Sequence, residues 1–328
     1  MSATLGDVDL DAYVAEHEGE WRRLEQLSRG RRLSAAEADE LVALYQRAAT
    51  HLSVVRSRSP DPALVARLSR LVLTARAKVT GGSTFTWRDV GRFFTVGFPL
   101  AAYRAWPWWS GVAVAFSGLT AFIMWWVAGH PESAEAFVGE EAARELADSG
   151  FAAYYTEFTA PTFAFQLWTH NAWLAAQCLA AGILVVPTVW LLWVNALNIG
   201  AVGGVMIDHG RADVFFGLIT PHGLLELTGV FVAAGVGLRI GWAWIAPPAD
   251  VGRGRALGEA ARSGMLVALG LVGVFAVSGL IEAFVTPAPL PTVFRIGVGA
   301  LVWGAFLVYV LHFGSRAAAA GESTDVSP

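Results

Sequence analysis

Residues 108–127 read WWSGVAVAFSGLTAFIMWWV, twenty positions without one charged side chain. A bilayer core about 30 Å thick needs about 20 apolar residues in a helix that rises 1.5 Å per residue, so this stretch is expected to cross a membrane. The composition agrees. Apolar residues make up 55% of the 328-residue chain and charged residues only 15%, below the roughly 25% of an ordinary soluble domain. Fourteen Trp and nineteen Phe suit a protein whose rings settle where bilayer meets water.

Four more apolar regions follow, at 163–207, 223–245, 264–285 and 293–313. The first of them is too long for one helix and divides near Pro187, which makes six spans. The turn near Pro187 is wholly apolar, so the third span is read as open to being broken. The fold expected is all-α: a polytopic membrane protein of about six transmembrane helices behind a soluble N-terminal helical region. Its boundaries are expected as a helical region at 1–82, a juxtamembrane segment at 83–107, a membrane domain at 108–314 with an acidic loop near 129–165, and a disordered tail at 315–328.

Charge orients these spans. Residues 1–107 carry 15 Arg and Lys against 12 acids, whereas 128–166 hold Arg144 alone against seven acids. Arg253, Arg255 and Arg262 fall in the loop at 247–263, and Arg316 follows the last span. Basic segments stay in the cytoplasm, so both termini are expected inside a bacterial cell membrane and the acidic loop outside. Asp7, Asp9 and Asp11 occupy the place of a leader's basic and apolar regions, so insertion is expected to use the internal helices. The one cysteine, Cys178, rules out an intrachain disulfide and a paired-cysteine metal site.

The N-terminal third reads as three helices. Ser34 and Glu37 have capping-box spacing, and Leu41, Leu44, Tyr45, Ala48 and Leu52 then share one face. Pro62 is placed to open a third helix running to Lys78, and 81–84 read as a hinge. Acids interleave with the Arg residues, which a phosphate-binding stripe would avoid, so no nucleic-acid partner is expected. From Phe93 to Trp109, aromatics alternate with Arg104 and follow Arg88 and Arg92; a helix lying in the interface and an aromatic collar on the first span both fit.

Ionisable groups inside a span are costly, so each is a candidate for function. Thr220-Pro221-His222-Gly223-Leu224-Leu225-Glu226 is expected to open the fourth span, with His222 and Glu226 one turn apart on one face. Glu282 lies at the end of the fifth span, and Asn171, beside His170, at the start of the second. Asn171, His222, Glu226 and Glu282 are therefore expected to converge. Asn195 and Asn198 form a secondary group on the third span, where Gly200, Gly203 and Gly204 would let helices approach closely. Three readings stay open for the first group: a buried hydrogen-bond network, a proton, ion or substrate site of a transporter, and a metal centre of one His and two carboxylates.

Asn171, the stretch from Asn195 to Gly200, Pro221-His222-Gly223-Leu224-Leu225-Glu226, the glycines Gly235, Gly237 and Gly241, and Ile281-Glu282-Ala283-Phe284-Val285-Thr286-Pro287 together resemble the stage II sporulation protein M family. Trp21 to Glu25 and Leu41 to Arg47 are similar to its actinobacterial members. The resemblance implies a multi-pass membrane protein that acts as an anchor or scaffold beside peptidoglycan-degrading partners. It supplies no catalytic residue. The expectation is thus a scaffold or assembly factor of the cell envelope in contact with membrane lipids and other envelope proteins, peptidoglycan hydrolases among them. A homo-oligomer is compatible with it, and neither cofactor nor metal is expected. A transporter or channel component and an intramembrane metalloenzyme are the alternatives.

Overall fold

A computed structural model describes residues 10–30, 33–58, 61–79, 87–130, 132, 139–153 and 160–322. They fall into two compact units, Met1–Thr86 and Trp87–Ser327.

The first unit is a bundle of α1 (Leu10–Arg29), α2 (Ala35–Arg58) and α3 (Pro62–Val79). Its core joins Trp21, Leu24 and Leu27 to Leu41, Leu44, Ala48 and Leu52, with Leu68 and Ala75 from the third helix. The capping box forms: the Ser34 N–H donates to Glu37 Oε2 at 2.9 Å and the Glu37 N–H to Ser34 Oγ at 3.3 Å. Pro62 opens α3, and Asp61 Oδ1 accepts from the Ala63 and Leu64 N–H groups at 2.7 and 2.9 Å. Arg67 grips Glu18 through both guanidinium ends, at 2.8 and 2.9 Å, and this hydrogen bonding holds the Glu18 carboxyl below its ordinary range. The expected hinge at 81–84 lies outside the described residues.

The second unit contains α4 (Trp87–Arg92), a π turn (Phe93–Gly97), α5 (Phe98–Arg104) and α6 (Trp106–Gly129). Next come α7 (Glu140–Glu145), a π turn (Leu146–Gly150) and α8 (Phe151–Ala153). The long helices α9 (Ala160–Ala181), α10 (Val186–Asp208), α11 (Ala212–Ile245), α12 (Arg253–Leu280) and α13 (Thr292–Ala319) complete it, with a π turn (Ile281–Val285) ending α12. There is no strand among the described residues.

Among the described residues five helices are long and apolar enough to cross a membrane: α6, α10, α11, α12 with its π turn, and α13. The sixth, α9, has 22 residues but carries Gln166, Thr169, His170, Asn171 and Gln177. Composition alone therefore weakens the second span. The third span, which the sequence leaves open to being broken, is one continuous helix. The chain turns before it, through Gly182–Leu184 and Val185 at φ 62°, and Pro187 then sits in the first turn of α10, where its missing N–H is harmless. The fourth span departs from expectation, since it starts at Ala212 rather than near 223 and runs through Pro221. A proline beside a polar pair looks like a helix start; here it lies inside one.

The segment before the first span is exposed at Trp87 and Phe94 and buried further on. Phe98, Ala101 and Ala102 are buried in the main core, Leu100 is buried as well, and α5 packs on α12 and α13. The small residues of α10 meet α6 closely, as their spacing predicts. A Cβ on Gly200 would stand 2.8 Å from Ile123 Cβ, and one on Gly204 would stand 2.5 Å from Val127 Cβ. At the centre lies α11, with 72% of its apolar window buried against 28% for α6 and 17% for α13. Its neighbours are α6, α9, α12 and α13. Trp106, Trp190, Trp193, Trp242 and Trp244 are exposed near the matching ends of α6, α10 and α11, as a belt at one bilayer boundary would be.

In the first unit, Trp21 Nε1–H donates to His51 Nδ1 at 3.1 Å while the His17 ring stacks on His51 at 4.0 Å. Burial pushes the His51 imidazole down; His17 and Arg47 add to this, and Glu20 and Glu16 oppose it. A folded value below the unfolded value means that the unfolded chain binds more protons between the two, so the stabilisation is complete above about pH 6.5 and declines below it. Hydrogen exchange of α1 and α2, corrected for intrinsic rates, should show protection falling from about pH 7 to pH 5, with a shallower fall in His51→Gln. Flat protection across that range in the wild type would contradict a neutral, half-buried His51.

Candidate intramembrane polar site

His222 and Glu226 lie one turn apart on the inner face of α11, about 15 Å along from its first residue. Glu282 enters from the π turn at the end of α12, and Asn171 from the middle of α9. The depths differ from expectation: Asn171, His222 and Glu226 sit inside their helices, because α9 and α11 both start earlier than hydropathy suggests. Hydrophobic packing of Phe163, Leu218 and Phe151 around Ala283 covers the adjoining end.

The four side chains expected to converge do so. His222 Nε2 stands 3.6 Å from Glu282 Oε1, with the two side chains 7% and 4% exposed. One ligand atom from each of His222, Glu226 and Glu282 lies within 4.8 Å of the others. Asn171 is buried and hydrogen-bonds to Glu226. Of the secondary candidates, His170 and Asn198 are exposed, and the Asn195 amide donates to the Leu191 carbonyl of its own helix at 2.8 Å. These three take no part in the site.

Two members escaped sequence reasoning. Ser278 Oγ lies 3.3 Å from Glu226 Oε2, to which it donates, and 3.4 Å from the His222 carbonyl. Thr286 Oγ1 lies 3.3 Å from His222 Nδ1 and 3.4 Å from the Ile281 carbonyl. Ser278, Glu282 and Thr286 recur every fourth residue, a signal that one helix face carries all three. The π turn adjusts that face, with the Thr286 N–H bonding five residues back to the Ile281 carbonyl.

The first turn of α13 braces the site from outside. Arg295 Nη1 donates to the Thr286 carbonyl at 2.6 Å and Nη2 to Thr292 Oγ1 at 3.0 Å. Gly299 allows α13 to touch the α11 backbone beside His222, since a Cβ there would collide with Pro221. Trp303 Nε1–H donates to Thr228 Oγ1 at 3.0 Å and joins the same two helices. Glu282 Oε2 is buried with no hydrogen-bond partner, and no Arg or Lys pairs with either glutamate among the described residues. Chemically, such a group can share a proton or hold a cation; it cannot keep both carboxylates bare.

A family model described as Stage II sporulation protein M matches residues 112–287, which takes in Asn171, His222, Glu226 and Glu282. A second, described as Domain of unknown function (DUF8413), matches residues 11–81. No curated protein and no solved structure matches the chain.

If the cluster couples α9, α11 and α12, Glu226→Gln should be tolerated better than Glu226→Ala, because the amide can still meet Ser278 and Asn171. The alanine change should cost on the order of 1–3 kcal/mol in detergent stability, leaving its buried partners unmatched. A double-mutant cycle of His222→Ala with Glu282→Ala should depart from additivity by at least about 0.5 kcal/mol. Strict additivity would separate the two residues energetically.

Proposed function

The chain belongs to the stage II sporulation protein M family, and from that premise we propose that it is a membrane scaffold or assembly factor of the bacterial cell envelope. The observation that carries this reading is the inward direction of its polar chemistry. Asn171, Thr188, Ser278 and Thr286 each bond to another helix of the same bundle, so they tie spans together. Two cavities, of about 470 and 440 Å³, are lined by apolar residues such as Val112, Phe116 and Leu238 in one and Phe98, Leu225 and Val302 in the other. Neither includes His222, Glu226 or Glu282.

In this reading the three-helix unit faces the cytoplasm and offers partners a rigid surface, studded with ion pairs such as Arg23 with Glu40 and Arg47 with Glu20. The helices α6, α10 and α13 meet lipid with exposed side chains that include Trp125, Trp190 and Phe294. Envelope proteins, peptidoglycan hydrolases among them, are the proposed partners. A homo-oligomer would present several such surfaces together.

Orientation is tested by cysteine labelling from outside intact cells. Cysteines introduced at Glu140 and Pro289 should react, and those at Ser57 and Arg255 should not; labelling at Arg255 would invert the arrangement. The role is tested by crosslinking the full chain in cells, followed by purification in mild detergent and mass spectrometry. Envelope proteins should be recovered in fixed proportion with the intact chain and be lost when residues 10–79 are removed. A chain that purifies alone and carries ion flux in liposomes would favour the transporter reading.

A further inference from the structure

We propose that His222, Glu226 and Glu282 form a binding site for one divalent transition-metal ion, of the zinc class, inside the helical bundle. The inference stands independently of the scaffold reading.

The first argument is the separation of the facing atoms. His222 Nε2 and Glu282 Oε1 are 3.6 Å apart, too far for a hydrogen bond, whose heavy atoms meet at about 2.7–3.2 Å. Two ligands on one tetrahedral zinc, each about 2.0–2.1 Å from the ion, stand about 3.3–3.4 Å apart. The pair is therefore spaced as ligands, and Glu226 brings a third atom within 4.8 Å of both.

The second argument is orientation by groups that are not themselves ligands. Thr286 Oγ1 can accept the proton of His222 Nδ1 and give its own proton to the Ile281 carbonyl, at 3.3 and 3.4 Å. That chain places the imidazole proton on Nδ1 and turns the Nε2 lone pair towards Glu282, the arrangement a metal-bound histidine uses. Ser278 and Asn171 donate to Glu226 and hold its carboxylate in the same way.

The third argument is the unsatisfied atom. Glu282 is 3% exposed, and its Oε2 has no hydrogen-bond partner. Two carboxylates at this distance would leave two negative charges in the bundle, with no Arg or Lys beside them among the described residues. One divalent ion neutralises both at once; without it, each carboxyl that stays uncharged must carry a proton of its own or share one. Imidazole with carboxylates favours zinc, iron or manganese over calcium or magnesium, and three protein ligands leave a coordination position for water.

The full chain, purified in mild detergent, is stripped with a chelator and titrated with Zn²⁺ and, as a spectroscopic stand-in, with Co²⁺. The stripped chain should take up about one ion. Zn²⁺ should raise its melting temperature, and bound Co²⁺ should show visible ligand-field bands. Glu282→Gln keeps the shape of the side chain and should weaken Co²⁺ binding by at least about tenfold, as should His222→Ala. Thr286→Val removes no ligand and should weaken binding to a smaller extent; it serves if either of those variants fails to fold. His170→Ala, at an exposed neighbour, should leave the titration unchanged. Absence of Co²⁺ bands and of any Zn²⁺-induced shift would mean that a shared proton satisfies the cluster, which overturns the proposal. Binding retained at full strength in Glu282→Gln and Thr286→Val would place the ion elsewhere and overturn it equally.

Discussion

Two glutamates, Glu282 buried and Glu226 half-buried, lie close together inside a bundle that crosses a membrane, and much of the surrounding structure answers that charge. Taking one carboxylate out of water costs several kcal/mol after relaxation, so each must be hydrogen-bonded, neutralised or coordinated. Ser278 and Asn171 reach Glu226 from two other helices, and His222 faces Glu282. These contacts require α9, α11 and α12 to hold one register at one depth. A slip of either neighbour by one turn, about 5.4 Å, would strand a carboxylate among apolar side chains. In a bilayer, where the helices gain little from hydrophobic burial against one another, such a penalty for misalignment is a source of specificity.

Close approach of backbones makes that register reachable. Along α11, glycine recurs where other helices cross, and Gly237 meets the carbonyl of Cys178 on α9 so closely that a side chain would collide with it. Gly299 performs the same service between α13 and Pro221, one residue from His222. Pro221 itself withholds a hydrogen bond from the Gly217 carbonyl and loosens the helix just before the site. The adjoining Thr292 and Arg295 pack at Gly217 and fill that region. The lipid-facing helices keep large residues outward, whereas the central one spends its surface on small residues.

Much of this was legible in the sequence. Hydropathy points to about six spans, because each must close its own backbone hydrogen bonds and so needs a long apolar run, and five of the described helices meet that need. The capping box at Ser34 and the proline start of α3 were legible because they depend on neighbours in sequence alone. Three features were not. The beginning of α11 was misplaced because Pro221 imitates a helix start. The burial of Phe98 to Ala102 was missed because a core helix and an interfacial one share the same aromatic composition. Ser278 and Thr286 were overlooked because a hydroxyl within a span usually bonds to its own helix, as Thr228 does to Leu224 at 2.7 Å. Only the three-dimensional crossing reveals that these two reach another helix.

The first unit contains a second group of similar composition, and the contrast shows what distinguishes the membrane cluster. His17, Glu20 and His51 also bring one ligand atom each within 4.8 Å of the others. Their chemistry, however, is already engaged. Glu20 Oε1 accepts from Arg47 at 2.8 Å, and His51 Nδ1 accepts the indole proton of Trp21. The two imidazoles stack face to face with an interplanar angle of 22°, so their in-plane lone pairs run nearly parallel instead of converging on one point. Glu20 Oε2, like Glu282 Oε2, is buried without a hydrogen-bond partner, so an unsatisfied oxygen is common to both groups. In the membrane cluster, by contrast, the imidazole and the carboxylate face each other, and the one arginine braced against the site, Arg295, is directed at a carbonyl and a hydroxyl. Composition makes the two groups look alike. A nearby arginine and the direction of the rings separate a histidine pair that packs from a histidine and two glutamates that must share protons or hold a cation.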